Sequence, residues 1–178
     1  MVKRIVVLSR KEVEKALDNK VLNKDIIGDW ALISIYAQQE LMRTFDRMDS
    51  FKNLKGKKFI SLRFRDIETV VKGIEAYSLN FLFNEEHAKR IINFIEEVKE
   101  TVETLVVQCA AGISRSGAVG LFACRYLKLD ETEFRSLNKI SPNMHVLRVL
   151  NEVSGVNKEY VEFWEQLAEK RPRAIKHI

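Results

Sequence analysis

The stretch Leu105-Val106-Val107-Gln108-Cys109-Ala110-Ala111-Gly112-Ile113-Ser114-Arg115-Ser116-Gly117 changes character twice. It opens as an apolar, β-branched run, passes through small residues around Gly112, and hands over at Gly117 to an apolar helical stretch ending near Leu127. A strand, a tight loop and a helix in that order form the half-unit of a parallel sheet, whose strands must be joined by crossovers. Working upstream, Ala88, Ile91, Ile95, Val98 and Val102 step by three or four residues. That spacing lays an apolar stripe along a helix whose other face carries Lys89, Arg90, Glu96, Glu97 and Glu100. Earlier still, Lys58–Phe64, Trp30–Tyr36 and Val2–Leu8 read as strands, the first preceded by the turn-prone segment Asn53–Lys57. Ser9 followed by Glu12 is a capping-box pattern, with Val13, Ala16 and Leu17 behind it at helical spacing. Strands alternating with helices predict an α/β fold with a mostly parallel central sheet flanked by helices.

Downstream the pattern is helical. Phe134 with Leu137, then Val146, Val149, Leu150 and Val153, then Tyr160, Phe163, Trp164 and Leu167 form three apolar sets, divided by Ser141-Pro142-Asn143 and by Gly155. There is no internal repeat, low-complexity segment or interdomain linker, so residues 1–170 read as a single domain and 171–178 as a basic tail.

The chain has 178 residues, 46% apolar and 31% charged, a balance that removes disorder, collagen-like repeats and a small crosslinked scaffold from consideration. Two cysteines cannot staple a chain of this length, and a core of this size needs no staple. The formal charge of +5 raises nucleic acid as a partner, but acidic residues are interspersed along most of the chain. The dense groups, Lys52, Lys55, Lys57 and Lys58, then Lys170, Arg171, Arg173 and Lys176, have no interleaved stacking aromatics. No nucleic acid is expected, and the surplus charge suits an anionic substrate. Ser9 to Glu12 interrupt the first apolar run before a secretory core forms, and no stretch reaches about 18 uninterrupted apolar residues. The expectation is no membrane association and a reducing, cytoplasmic setting.

The strand-to-helix loop also carries the chemistry. Its backbone amides can converge where the helix presents its own unpaired N–H groups and its positive dipole end, which is an oxyanion site. Five residues separate Cys109 from Arg115, enough for the loop to curl round a tetrahedral anion while Arg115 offers two parallel donors. Gly112 suits a point in the curl that needs positive φ. At the bottom of such a ring, Cys109 is held as a thiolate by amides, dipole and guanidinium, whereas a lone intracellular cysteine is otherwise an inert core residue. Cys124 fits that inert description. It lies in the following helix, roughly 13 Å along the axis from Arg115 at ~1.5 Å per residue, too far to pair with Cys109. His87, His145 and His177 show no metal-ligand spacing, and no metal or cofactor is expected. Trp30 and Trp164 read as core or groove lining.

Gln108-Cys109-Ala110-Ala111-Gly112-Ile113-Ser114-Arg115-Ser116-Gly117 resembles the signature of the cysteine-dependent protein tyrosine phosphatases, and in its brevity the dual-specificity branch. The match is specific across Val106–Leu121; elsewhere Phe64-Arg65-Asp66, the Glu86–Val98 helix and the Pro142–Leu150 segment fall in family-like order. The resemblance implies phosphomonoester hydrolysis through a cysteinyl phosphate, on a phosphorylated protein or peptide. It makes Cys109 the nucleophile, Arg115 the phosphate clamp and Ser116 the hydroxyl that helps the thiolate leave. Ala110, Ala111, Gly112, Ile113 and Ser114 complete the phosphate-binding loop. It also implies an aspartate general acid on an upstream loop. Asp66, leaving the third strand, is the candidate, with Glu68 the fallback. Two features depart from the family pattern. Gln108 stands where histidine usually precedes the cysteine, and Asp66 lies 43 positions before Cys109, a longer interval than usual, which an insertion between Ile67 and Phe83 would explain. Uncharged Ala110, Ala111 and Ile113 differ from the lysines that phosphoinositide-directed relatives often carry. Two other classes stay open: a rhodanese-type sulfurtransferase, which also rings a thiolate with amides, and a non-catalytic phosphate- or phosphopeptide-binding module.

Overall fold

In the computed structural model, residues 1–19, 24–37, 58–67 and 81–156 are described. The expected turn at Asn53–Lys57, Glu68, the interval within Ile67–Phe83, the helix through Tyr160, Phe163, Trp164 and Leu167, and the tail at 171–178 fall wholly or mostly outside them. So do Lys52, Lys55 and the side chains of Ala16 and Leu17. The elements are β1 (Arg4–Ser9), α1 (Arg10–Asn19), β2 (Trp30–Tyr36), β3 (Phe59–Arg63), α2 (Glu85–Val98), β4 (Thr104–Cys109), α3 (Arg115–Tyr126), α4 (Glu131–Leu137) and α5 (Met144–Ser154). The strands form one sheet in the order β1-β4-β2-β3, and every pairing is parallel. β4 is paired on both sides, Cys109 lying opposite Ser9 and Gln108 opposite both Leu8 and Ser34.

Period-two alternation splits the side chains between two layers. Val6, Leu8, Trp30, Leu32 and Val106 pack with Val13 of α1 on one face. Ile5, Val7, Ala31, Ile33, Ile35, Leu105, Val107 and Cys109 turn to the other, where α2, α3, α4 and α5 supply Ile91, Ile95, Phe122, Phe134 and Leu150. Leu32, Ile33, Leu105 and Phe122 are fully buried, and each such side chain contributes about 1.5–3 kcal/mol, so this core needs no crosslink.

The helices begin where capping chemistry dictates. Asn84 and His87 form a reciprocal capping box on α2, Asp130 accepts from the Thr132 and Glu133 amides of α4, and Asn143 Oδ1 accepts from Val146 N of α5. Gly155 closes α5 in the left-handed region. Ser9 and Glu12 make the expected box on α1, Ser9 N donating to Glu12 Oε2 at 2.7 Å. The apolar stripe carries Val102 into α2, but the helix ends at Val98. Val102 reaches the core from the following turn, its N–H donating to Val98 O at 3.2 Å. The flank of β1 away from β4 meets a buried side chain. Asn138, after α4, accepts from Val7 N at 2.7 Å and donates to Ile5 O at 3.1 Å.

Candidate active site at the end of strand β4

The apolar run predicts a strand ending at Val107. β4 runs on to Cys109 because β2 pairs it as far as Gln108 and β1 as far as Cys109, so the thiol leaves the sheet at its carboxyl edge. α3 starts at Arg115, two residues earlier than the Gly117 expected from apolar texture. Only residues 110–114 are therefore left to turn the chain. The turn is possible because Gly112 adopts φ +70°, and a Cβ there would stand 2.5 Å from Ser9 N. The loop's carbonyls face outward to neighbouring segments. Ala110 O accepts from Arg10 N at 3.3 Å, Ile113 O from Ser141 N at 3.2 Å, and Ser114 O from Ala118 N at 2.9 Å and Asn143 N at 3.2 Å.

The amides face the other way. Cys109 is 2% exposed, and burial by itself pushes a thiol up. The Ser116 hydroxyl, 3.0 Å from Cys109 Sγ, and the N–H groups of Ser116, Ile113 and Gly112 outweigh burial, holding the thiol below its ordinary range. Three amides, a hydroxyl and a helix amino end thus converge on one sulfur, the arrangement that also accepts a tetrahedral oxyanion.

Arg115 is 5% exposed and donates through Nη1 to Phe64 O at 3.0 Å, tying the loop to the segment that leaves β3. Its Nε is buried with no hydrogen-bond partner among the described residues. An orphaned guanidinium donor at this depth is costly unless a ligand completes it. Asp66, two residues beyond Phe64, places Oδ2 at 4.0 Å from that Nε. Asp66 Oδ1 accepts from Ser114 Oγ at 2.7 Å and from Asn143 Nδ2 at 2.8 Å.

Cys109, Arg115, Ser116, Asp66 and the 110–114 loop, all read from sequence, therefore meet at one site. Gln108 does not join them. Its position in the alternation sends its side chain to the opposite sheet face, where Oε1 accepts from Ser34 Oγ at 2.8 Å. Sequence reasoning missed Asn143 and the side-chain role of Ser114. Ser141-Pro142-Asn143 reads from sequence only as a break between apolar sets, and a bond spanning 77 residues has no local signature. Among the described residues no group of three or more His, Cys, Asp or Glu is placed to hold a metal ion, and no helix is long and apolar enough to cross a membrane.

No protein-family model matches the chain, and no curated protein does. Solved structures do resemble it. The active form of Tk-PTP is 17% identical with a TM-score of 0.46, over 96% of this chain and 95% of that one. PTPMT1 in complex with PI(5)P is 14% identical, TM-score 0.46, over 86% and 91%. The human tyrosine phosphatase-like serine/threonine/tyrosine-interacting protein is 13% identical, TM-score 0.46, over 83% and 85%. At such identities the similarity is one of chain path.

Proposed function

We propose that the chain is a phosphomonoester hydrolase of the protein tyrosine or dual-specificity type, acting on a phosphorylated protein or peptide through a cysteinyl-phosphate intermediate. The observation that carries this reading is the Cys109 thiol, buried yet held below the ordinary thiol range by inward-facing amides and Ser116. In the first step the thiolate lone pair forms the S–P bond as the P–O bond breaks and its electron pair leaves on the ester oxygen. Asp66 gives that oxygen its proton. The loop amides and Arg115 hold the three equatorial oxygens. In the second step water gives a proton to Asp66 and attacks phosphorus. The S–P electrons return to Cys109, whose developing charge Ser116 stabilises.

Asp66 beside Arg115 supports phosphoryl over sulfur transfer, because sulfur transfer needs no acid for an alcohol or phenol. Ala110, Ala111 and Ile113 bring no charge to the rim, and exposed Ile113 offers an apolar edge to an aromatic ring. That favours phosphotyrosine, with phosphoserine and phosphothreonine as shorter alternatives. The reading is tested with an aryl phosphate. Wild type should turn it over, vanadate should inhibit, a chelator should have no effect, and Cys109→Ser should lose at least about a thousandfold in kcat. Phosphopeptide binding without turnover would instead establish a binding module, and thiosulfate:cyanide transfer a sulfurtransferase.

A further inference from the structure

Ser114 occupies the N-cap of α3, where a serine ordinarily turns its oxygen back to accept from its own helix. Its hydroxyl caps nothing in α3; it donates to Asp66 Oδ1 at 2.7 Å. The same oxygen takes a second hydrogen bond, from Asn143 Nδ2 at 2.8 Å. Asn143 is wholly buried and fixed by two further bonds, Oδ1 accepting from Val146 N at 3.0 Å and its own N–H donating to Ser114 O at 3.2 Å. The cap on α5 decides which way the amide faces, because only its oxygen can accept from Val146; Nδ2 is thereby aimed at Asp66.

An amide N–H and a hydroxyl together occupy the acceptor positions of Oδ1. A proton carried by this carboxyl then sits on Oδ2, the oxygen that faces Arg115 Nε at 4.0 Å. We infer that Asn143 is a positioning residue. With Ser114 it holds Asp66 by Oδ1, so that Oδ2 delivers the proton to the leaving group. This rests on the reading of Asp66 as general acid. It gives the α5 N-terminus a second task besides starting a helix.

The test compares phenyl phosphate, whose phenolate leaves poorly without a proton, with 4-nitrophenyl phosphate, whose leaving group needs little help. Asn143→Ser keeps a capping oxygen for α5 but has no amide to reach Asp66. It should lower kcat on phenyl phosphate by about tenfold or more and on the nitrophenyl ester by less than about threefold. In an Asp66→Ala background the same change should cost nothing further. Equal losses on both esters, or full additivity in the double variant, would overturn the inference. Should Asn143→Ser fail to fold, Ser114→Ala removes the other donor without touching a cap; the same selective loss is expected, and an unselective one overturns it. A wild type without Cys109-dependent turnover of either ester removes the hydrolase reading and this inference together. An active wild type with unselective variants removes this inference alone.

Discussion

Cys109 and Cys124 are both buried, at 2% and 0% exposure, and both border the same core layer, yet their surroundings pull their thiols in opposite directions. At the end of β4, burial is overridden by the Ser116 hydroxyl and by amides that have turned inward. Inside α3 the backbone amides are consumed by the helix. Cys124 finds a carbonyl, Leu129 O at 3.6 Å, and burial with nearby Glu131 pushes its thiol up to about 11. Burial alone therefore does not make a cysteine inert or reactive. What decides is whether the chain around it has spare donors, and a chain has spare donors where a strand ends and a helix has not yet closed its first turn.

The largest expected difference is in labelling. With iodoacetamide at neutral pH, Cys109 should be alkylated and Cys124 left untouched, read by peptide mass; labelling at Cys124 would break the contrast. Ser116→Ala removes one donor from the thiolate. A hydrogen bond to a charged group is worth about 1.5–3 kcal/mol and one pH unit about 1.4 kcal/mol, so the midpoint of the alkylation–pH profile should rise by about one unit or more. An unmoved midpoint would transfer the credit to the amides. Gly112→Ala forces a side chain into the left-handed region and against Ser9 N. It should cost about 1–3 kcal/mol in chemical denaturation and raise the same midpoint, since the ring cannot keep its curl. The smallest effect belongs to Cys124→Ala, which should leave turnover unchanged and cost about 1 kcal/mol for the cavity. Because the folded-state thiol titrates about 11 and the ordinary one at 9.0, the unfolded chain ionises first. That contribution is fully present below pH 9.0 and is lost as pH climbs toward about 11. Cys124→Ala should therefore flatten the alkaline fall of Tm.

The comparison also explains what could be read in advance. The four strands and the stripe on α2 were legible because apolar periodicity is local. So was the loop, since Cys109, Gly112 and Arg115 state their chemistry by type and spacing. Element limits at Cys109, Arg115 and Val98 were not, because small residues carry no periodicity and ladder partners decide where a strand stops. The grip on Asp66 was invisible for another reason. Asn143 and Ser114 reach it through bonds spanning 77 and 48 residues, and the folded sheet alone brings those ends together. Gln108 shows the same limit from the other side: it is next to Cys109 in sequence, and strand alternation sends its side chain away to Ser34.

Asn138 bears on a different hazard. Among the described residues β1 is an outer strand of the sheet, and an outer strand with open backbone groups is a template on which another chain can build. By occupying Val7 N and Ile5 O, the residue trailing α4 puts a side chain where a foreign strand would otherwise pair. At that border one amide holds backbone groups that strand pairing would use, leaving both sheet faces free to build the core.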